Sequence, residues 1–583
     1  MSLLTHLRRL PTQARRTPPG GAAVAGAAAP DGAAGGDGGA VDAVPGGAGG
    51  RPRRRRPVGS TVLDVLAGLL VLLVFVTPNR IDSLTPWAFL RIPVDGLLLV
   101  ALLLILSARP RRVASAVIGV GLGVLGIVKI VDMGFYTVLD RPFDPVLDWI
   151  LFGAGAEFLT GSIGRTGTVG VAVAALLLAV AVLVLVTLSV LRLTGLLVRH
   201  ERTTARTVAV FAVVSVVTAV FGVPVLPEAP VGVLAVDRAY GVYDGLRDRE
   251  RFAAEVKIDA FRDTPGDELL TALRGKDVII AFVESYGRDA VSDPEYAPQV
   301  GAVLADGDRR LAEAGFTGRS GFLTSPTAGG NSWLAHATLM SGLWINNQQR
   351  YDNLVVSDRL TLNSAFRRAD WRTVGVMPGI TRAWPEGDFY GYHQVYDSRN
   401  LGYRGPRFNF SSMPDQYTLA GFRQAEYTGP GKPPLMAEIA LLSSHTPWAP
   451  LPELIDWADV GDGSAFEGMP ETGRSVEEVW SDTAQVRTEY RRAVEYTLRT
   501  LISYVETYGD DDLVLVFLGD HQPAPLITGP RASRDVPISI VARDPAVLAR
   551  TAGWGWQDGL MPGPQAPVWR MDTFRDRFLT TFS

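Results

Sequence analysis

Residues 321–344 read GFLTSPTAGGNSWLAHATLMSGLW. A short apolar run breaks at Pro326 and passes through Thr327-Ala328-Gly329-Gly330-Asn331. A helical pattern then opens at Ser332, with Leu334, Ala337, Thr338 and Ser341 at helical spacing. Paired glycines let the backbone turn sharply and approach a ligand closely. A hydroxyl at a helix start lies among unpaired N–H groups at the positive end of the dipole, which suits an anionic ligand or a nucleophilic serine. The same position also suits a plain N-cap. Both readings of Ser332 stand until the rest of the chain is considered.

The chain has 583 residues, more than one domain normally holds. It is 47% hydrophobic and 20% charged, an average that hides an apolar front and an ordinary globular back. A formal net charge of -4 gives no nucleic-acid signature. Cysteine is absent, which excludes disulfides, thiolate metal sites and a cysteine nucleophile. Usage rich in Ala, Gly, Arg and Val points to a high-GC bacterium.

Residues 1–57 are rich in Gly, Ala, Pro and Arg and are expected to be a disordered tail, ending in the basic run Arg51-Pro52-Arg53-Arg54-Arg55-Arg56. Long apolar runs follow at about 60–77, 87–107, 113–136, 168–191 and 207–226, giving an expected five-helix transmembrane domain over 58–226. None reads as a cleavable signal peptide. Arg53 to Arg56, then Arg109, Arg111 and Arg112, then Arg192, Arg199, Arg202 and Arg206 fall in alternate loops. The positive-inside rule therefore predicts a cytoplasmic N-terminus in a bacterial plasma membrane, with everything after about Pro227 outside. Lys129 and Asp132 interrupt the third span on one helical face, where snorkelling or mutual pairing competes with a substrate role. The outer loop 137–167, with Trp149, Phe152 and Phe158, is expected to lie in the interface. Residues 227–265 read as a connector with a charged helix over about 237–261.

From about residue 266 the pattern is α/β, with a mostly parallel central sheet expected. Candidate strands are 278–283, 373–377, 435–442, 513–518 and 538–541, and helices are expected over about 297–314, 332–343, 361–369 and 476–508. Three strands end in chemistry. Glu284 follows the first in DVIIAFVESYG, His445 follows another in AEIALLSSHTPW, and Asp520-His521 follow a third in DLVLVFLGDHQP. Ligand sites in open α/β sheets lie at the carboxyl ends of strands. Glu284, Asp520 and His521 form a reasonable divalent-metal set, and a metal beside Ser332 would lower its pKa and hold a phosphoryl oxygen. Taken singly, each has a bland role as a cap partner or loop residue. Their coincidence at strand ends favours function, and two of only six histidines fall there. His336 lies one turn after Ser332 and is as readily packed as ligating, so one metal is assigned.

In this order, strand-Glu-Ser, a Gly-rich turn with Ser opening a helix, Ser-Ser-His-Thr-Pro and Gly-Asp-His resemble the sulfatase-like branch of the alkaline phosphatase superfamily. Five spans before an external domain resemble its lipoteichoic acid synthase group. The resemblance implies that Glu284, Asp520 and His521 bind one divalent ion, Mn or Mg rather than Zn. It makes Ser332 both nucleophile and metal contact, and it puts His445 on the substrate phosphate. The group's nucleophile is commonly Thr. Its Trp and Arg that contact glycerol phosphate correspond to Trp384 and to Glu386, with Arg382 as the substitute cation. Asn331 joins Trp384 and Arg382 as a substrate-binding candidate. The implied activity is transfer of a phospho-head group, such as glycerol phosphate, from a membrane lipid donor to a cell-envelope polymer or glycolipid acceptor, with no nucleic-acid partner. The alternatives are a phosphodiesterase, phosphatase or sulfuric ester hydrolase using water, and a non-catalytic envelope-binding protein. No C/S-x-P-x-R element lies near residue 332, which argues against a formylglycine sulfatase.

Overall fold

The computed structural model describes residues 58–221, 227, 230–408, 410–428 and 431–583, except the side chains of residues 154, 157, 158, 161 and 162. The N-terminal tail with its basic run, the last residues of the fifth apolar run and the Phe158 side chain lie outside the described residues.

Among the described residues, five helices are long and apolar enough to cross a membrane. They are α1 (Val58–Val76), α2 (Val94–Ile105, led by a turn at Pro86–Leu90), α3 (Ala108–Leu139), α4 (Trp149–Arg199) and α5 (Glu201–Val220). The fourth breaks at Gly164, whose positive φ of 73° no β-carbon residue adopts easily. Its first part takes up much of the expected loop, and Phe135, Phe143, Trp149 and Phe152 pack there edge to face. The α3–α4 pair is closely seated. A β-carbon on Gly119 would lie 2.8 Å from the Thr187 Cα, and one on Gly123 3.1 Å from the Leu183 Cα. Small residues four apart let two membrane helices approach in this way.

Lys129 and Asp132 do not pair with each other. Lys129 Nζ donates to the Val74 and Thr77 carbonyls at 2.9 and 2.8 Å, satisfying the otherwise orphaned C-terminal end of α1. Asp132, fully buried, accepts from Asn79 at 3.0 Å, from the Phe143 backbone at 3.0 Å and from Arg238. Arg238 belongs to α6 (Val231–Glu255), the connector helix, which begins directly after Pro230 and earlier than expected. These intramembrane charges therefore have structural partners: one closes a helix end and the other ties the connector to the bundle.

The described residues of the C-terminal part form a nine-stranded mixed sheet. Its strands are β1 (Asp277–Val283), β2 (Thr317–Thr324), β3 (Arg372–Met377), β4 (Gln394–Asp397), β5 (Leu435–Leu441), β6 (Leu513–Gly519), β7 (Asp535–Ala542), β8 (Gln557–Asp558) and β9 (Val568–Arg570). The order is β4-β3-β5-β1-β6-β7-β2-β8, with β9 beside β2. Strands β4, β3, β5, β1 and β6 run parallel. The expected strand 538–541 is antiparallel to both neighbours, so β2 runs parallel to β6 again. Every residue of β1, β5 and β6 is buried, as two covered faces require. One face packs on the helices Ala297–Glu313 and Thr483–Tyr508, the other on Ser332–Ser341, Leu362–Arg368 and Phe574–Phe582. The single helix expected over 476–508 is two, because Ser475 caps Val476–Val479 and Asp482 starts a new cap at Ala484.

This topology puts the carboxyl ends of β1, β2, β3, β5 and β6 on one edge. That edge meets the C-terminal end of α3. A β-carbon on Gly329 would lie 1.7 Å from the Val138 carbonyl oxygen, and Asp140 accepts from the Arg531 backbone at 3.2 Å and from Arg80 at 2.8 Å. Only glycine, at a φ of 72°, fits the turn that touches the membrane helix.

Candidate active site

Ser332 is the first residue of the helix Ser332–Ser341, and the capping position belongs to Asn331, held in the left-handed region at a φ of 65°. The Ser332 hydroxyl does not cap. It donates to Glu284 Oε2 at 2.9 Å and lies 3.2 Å from His521 Nε2. The turn before it is fixed from the β6 side, since Gly329 N donates to the Gln522 carbonyl at 2.8 Å. The turn before Ser332 and the Asp520-His521 turn are thereby one hydrogen-bonded unit.

Glu284, Asp520 and His521 are buried, and one ligand atom from each lies within 4.8 Å of the others. His521 Nδ1 faces the Gln522 carbonyl at 2.8 Å, so it carries a proton, and Nε2 is the ring nitrogen directed at the cluster. Asp520 Oδ1 accepts from the backbone N–H groups of Ser285 and His521 at 2.8 and 2.7 Å, freeing Oδ2. Ser285 Oγ donates to Glu284 Oε1 at 2.8 Å from a left-handed backbone with φ 57°. A non-glycine residue in that region is strained, and the strain here serves to aim one amide and one hydroxyl at two carboxylates. Two acidic oxygens, one imidazole nitrogen and a hydroxyl with their outer partners in place fit a single divalent ion.

The electrostatics agree with that fit. Burial, then the Glu284 charge, push the Asp520 carboxyl up to about 7. Burial alone would lower His521, but Asp520 and Glu284 outweigh it and raise the imidazole to about 9. Burial likewise opposes ionisation of Glu284, yet the facing His445 and His521 hold it well below the usual carboxylate range. The metal-free cluster therefore holds protons at neutral pH that a cation must displace. Mn affinity is expected to rise through the window between those two raised values, by up to about one decade per pH unit for each proton released. Calorimetry in buffers of different ionisation enthalpy measures that proton release. A pH-independent affinity with no proton release would contradict the ligand assignment.

A cavity of about 310 Å³ opens beside Ser332. Its lining includes Asn331, Ser332, Glu284, Asp520, His445 and Trp384. His445 stacks on Phe410 with ring centroids 3.7 Å apart, which fixes its plane at the mouth. The loop that carries it is anchored by buried Asp415, which accepts from the Leu442 and Ser443 amides at 2.7 and 3.0 Å. Arg382 is exposed and does not line the cavity. Phe282, Met377, Ile380 and Leu442 make much of the wall apolar. His336 and Glu438 also line it and were not assigned from sequence. The signal was present: Glu438 is a lone carboxylate inside the apolar strand LMAEIAL, where a buried charge needs partners.

No family model matches the sequence, and comparison with curated proteins finds no match. Among solved structures the chain is similar to the lipoteichoic acid synthase LtaP from Listeria monocytogenes, at 16% identity and a TM-score of 0.34 over 53% of this chain and 72% of that one. It is also similar to the Streptococcus pyogenes phosphoglycerol transferase GacH in complex with sn-glycerol-1-phosphate, at 12% identity and a TM-score of 0.33, covering 57% and 90% of the two chains. A third likeness is to the soluble domain of lipooligosaccharide phosphoethanolamine transferase A from Neisseria meningitidis, at 14% identity and a TM-score of 0.34 over 53% and 89%.

Proposed function

We propose that the protein is a membrane-anchored, divalent-metal-dependent phosphotransferase that moves a phospho-head group, such as glycerol phosphate, from a lipid to a cell-envelope acceptor through phospho-Ser332. One observation carries this: the Ser332 hydroxyl lies at a helix start against Glu284 and His521, in a turn seated on the end of a membrane helix. A site at that place needs only to face the leaflet surface to reach a lipid phosphodiester. The N-terminus is cytoplasmic and the α/β domain external in this account, because the Arg-rich loops alternate along the chain.

Glu284, Asp520 and His521 would hold one Mn or Mg ion, with Ser332 beside it. When bound, the ion supplies positive charge that favours the serine alkoxide and the developing negative charge on phosphoryl oxygens. Ser332 attacks phosphorus with its proton directed at Glu284, and the helix N-terminus adds its dipole. His445, held flat by Phe410, meets the phosphate. Asn331 and Trp384 face the head group, with Arg382 just outside the cavity. Diacylglycerol leaves, and an acceptor hydroxyl resolves the phospho-enzyme.

Full-length protein with Mn, in vesicles containing phosphatidylglycerol, is expected to release diacylglycerol and to pass the head group to an added glycolipid. Release of the head group to water alone would replace the transferase with a phosphodiesterase, and no release from any phospholipid would remove the lipid donor. The seat of the turn is testable too. Gly329→Ala places a β-carbon against the Val138 carbonyl and must shift the nucleophile. A displacement of about 1 Å costs on the order of a hundredfold in rate. Turnover equal to wild type in Gly329→Ala would show that the α3 contact does not position Ser332.

A further inference from the structure

His336 lies one helical turn after Ser332, on the same face and in the wall of the same cavity. Its Nδ1 is 2.9 Å from Glu438 Oε1, and its ring stacks on Phe282 with centroids 3.7 Å apart at 18°. Glu438 is 1% exposed and comes from the middle of β5. Its other oxygen accepts from Asn363 Nδ2 at 2.9 Å and Tyr392 Oη at 2.6 Å. A carboxylate this deep, held by three donors, fixes the tautomer and plane of the imidazole. Among the described residues the second ring nitrogen has no hydrogen-bond partner. The metal cluster does not use this pair. Packing alone does not require it either, since an apolar side chain would fill the space against Phe282 without burying a carboxylate.

An imidazole oriented by a buried carboxylate, with its far nitrogen free beside a nucleophilic hydroxyl, is the arrangement of a proton carrier. We propose that His336, positioned by Glu438, is the general acid for the departing alcohol and the general base for the incoming one. This rests on the phospho-Ser332 reading. In the first half, the Ser332 Oγ–P bond forms and the P–O bond to the leaving alcohol breaks. The Ser332 proton passes by Glu284 to solvent, and the departing oxygen takes the Nε2 proton of His336. In the second half, neutral His336 takes the acceptor hydroxyl proton as that oxygen attacks phosphorus. The P–Oγ bond breaks, and Oγ regains a proton from solvent. His445 is then left to meet the phosphate, so the two cavity histidines have separate tasks.

A general acid matters only when the leaving group needs a proton, and this separates the proposal from a structural role. The test uses full-length protein in detergent with Mn and two phosphodiesters of one head group, one bearing an aliphatic alcohol and the other p-nitrophenol, and reads the alcohol released in the first turnover, before the second half that both substrates share. His336→Gln is expected to slow release of the aliphatic alcohol by about a hundredfold or more, within the range of general-acid contributions. Release of p-nitrophenolate should fall by less than about tenfold, because that anion leaves without a proton. Bound Mn should be unchanged. Glu438→Gln should show the same asymmetry at smaller size, which covers the case of a poorly folded His336 variant. Equal losses with both substrates, or no loss with either, would overturn the proposal. Turnover retained in Ser332→Ala would instead overturn the underlying phospho-serine reading, so the two failures are distinct.

Discussion

A Ser332→Ala protein loaded with Mn should fold, keep its metal and lose turnover by about four to six powers of ten, as covalent enzymes do when the nucleophile is removed. A serine that only capped the helix would cost about 1 kcal/mol of stability on the same change and leave chemistry intact. In the structure Asn331 occupies the capping position, and the Ser332 hydroxyl points at Glu284 and His521 instead. Thr327 and Ser325, the neighbouring hydroxyls, are committed elsewhere. Thr327 Oγ1 donates to the Gly330 carbonyl at 2.6 Å, and Ser325 Oγ to the Asp520 carbonyl at 2.6 Å. Ser332→Thr keeps a hydroxyl at the same place and should keep part of the activity. Wild-type turnover in the alanine variant would place the nucleophile elsewhere.

The second large effect is expected at Asp520. Its Oδ1 is fixed by two backbone amides and its Oδ2 faces the cluster, so Asp520→Ala removes a ligand and leaves two buried N–H groups without an acceptor. Loss of outer partners alone lowers metal affinity about 10- to 100-fold, so loss of this ligand should exceed about a hundredfold. Elemental analysis after dialysis reads it directly. Full occupancy in a protein lacking Glu284, Asp520 and His521 together would refute the assignment.

What the sequence shows of this fold follows from where the physics is local. Strands β1, β5 and β6 are legible because both their faces are buried, leaving uninterrupted Val, Ile and Leu runs. The five apolar helices are legible by length. Strand β7 is a buried Val/Ile run like the parallel strands β1, β5 and β6, and its reversed direction is set by how the chain returns, which no run of residues records. The break at 480–482 turns on two side-chain caps that an amphipathic pattern passes over. At the site, Glu284, Asp520 and His521 are conspicuous because each directly follows an apolar strand. Ser285 is not, because its left-handed backbone is a tertiary fact. The pairing of His336 with Glu438 joins residues 102 positions apart and needs the sheet to exist first. Lys129 and Asp132 look like a pair in sequence and prove to serve α1 and α6, since partners across a bundle outrank neighbours along one helix.

The most direct test of the account is the mass of the Ser332 peptide. Full-length protein is incubated with Mn and phosphatidylglycerol in vesicles, quenched in acid, digested and analysed by tandem mass spectrometry. The account predicts a phospho-head-group adduct on Ser332 that disappears when an acceptor is added and does not form without metal. Turnover of the lipid with Ser332 unmodified under every quench condition, and an adduct on another residue or on none, would contradict it.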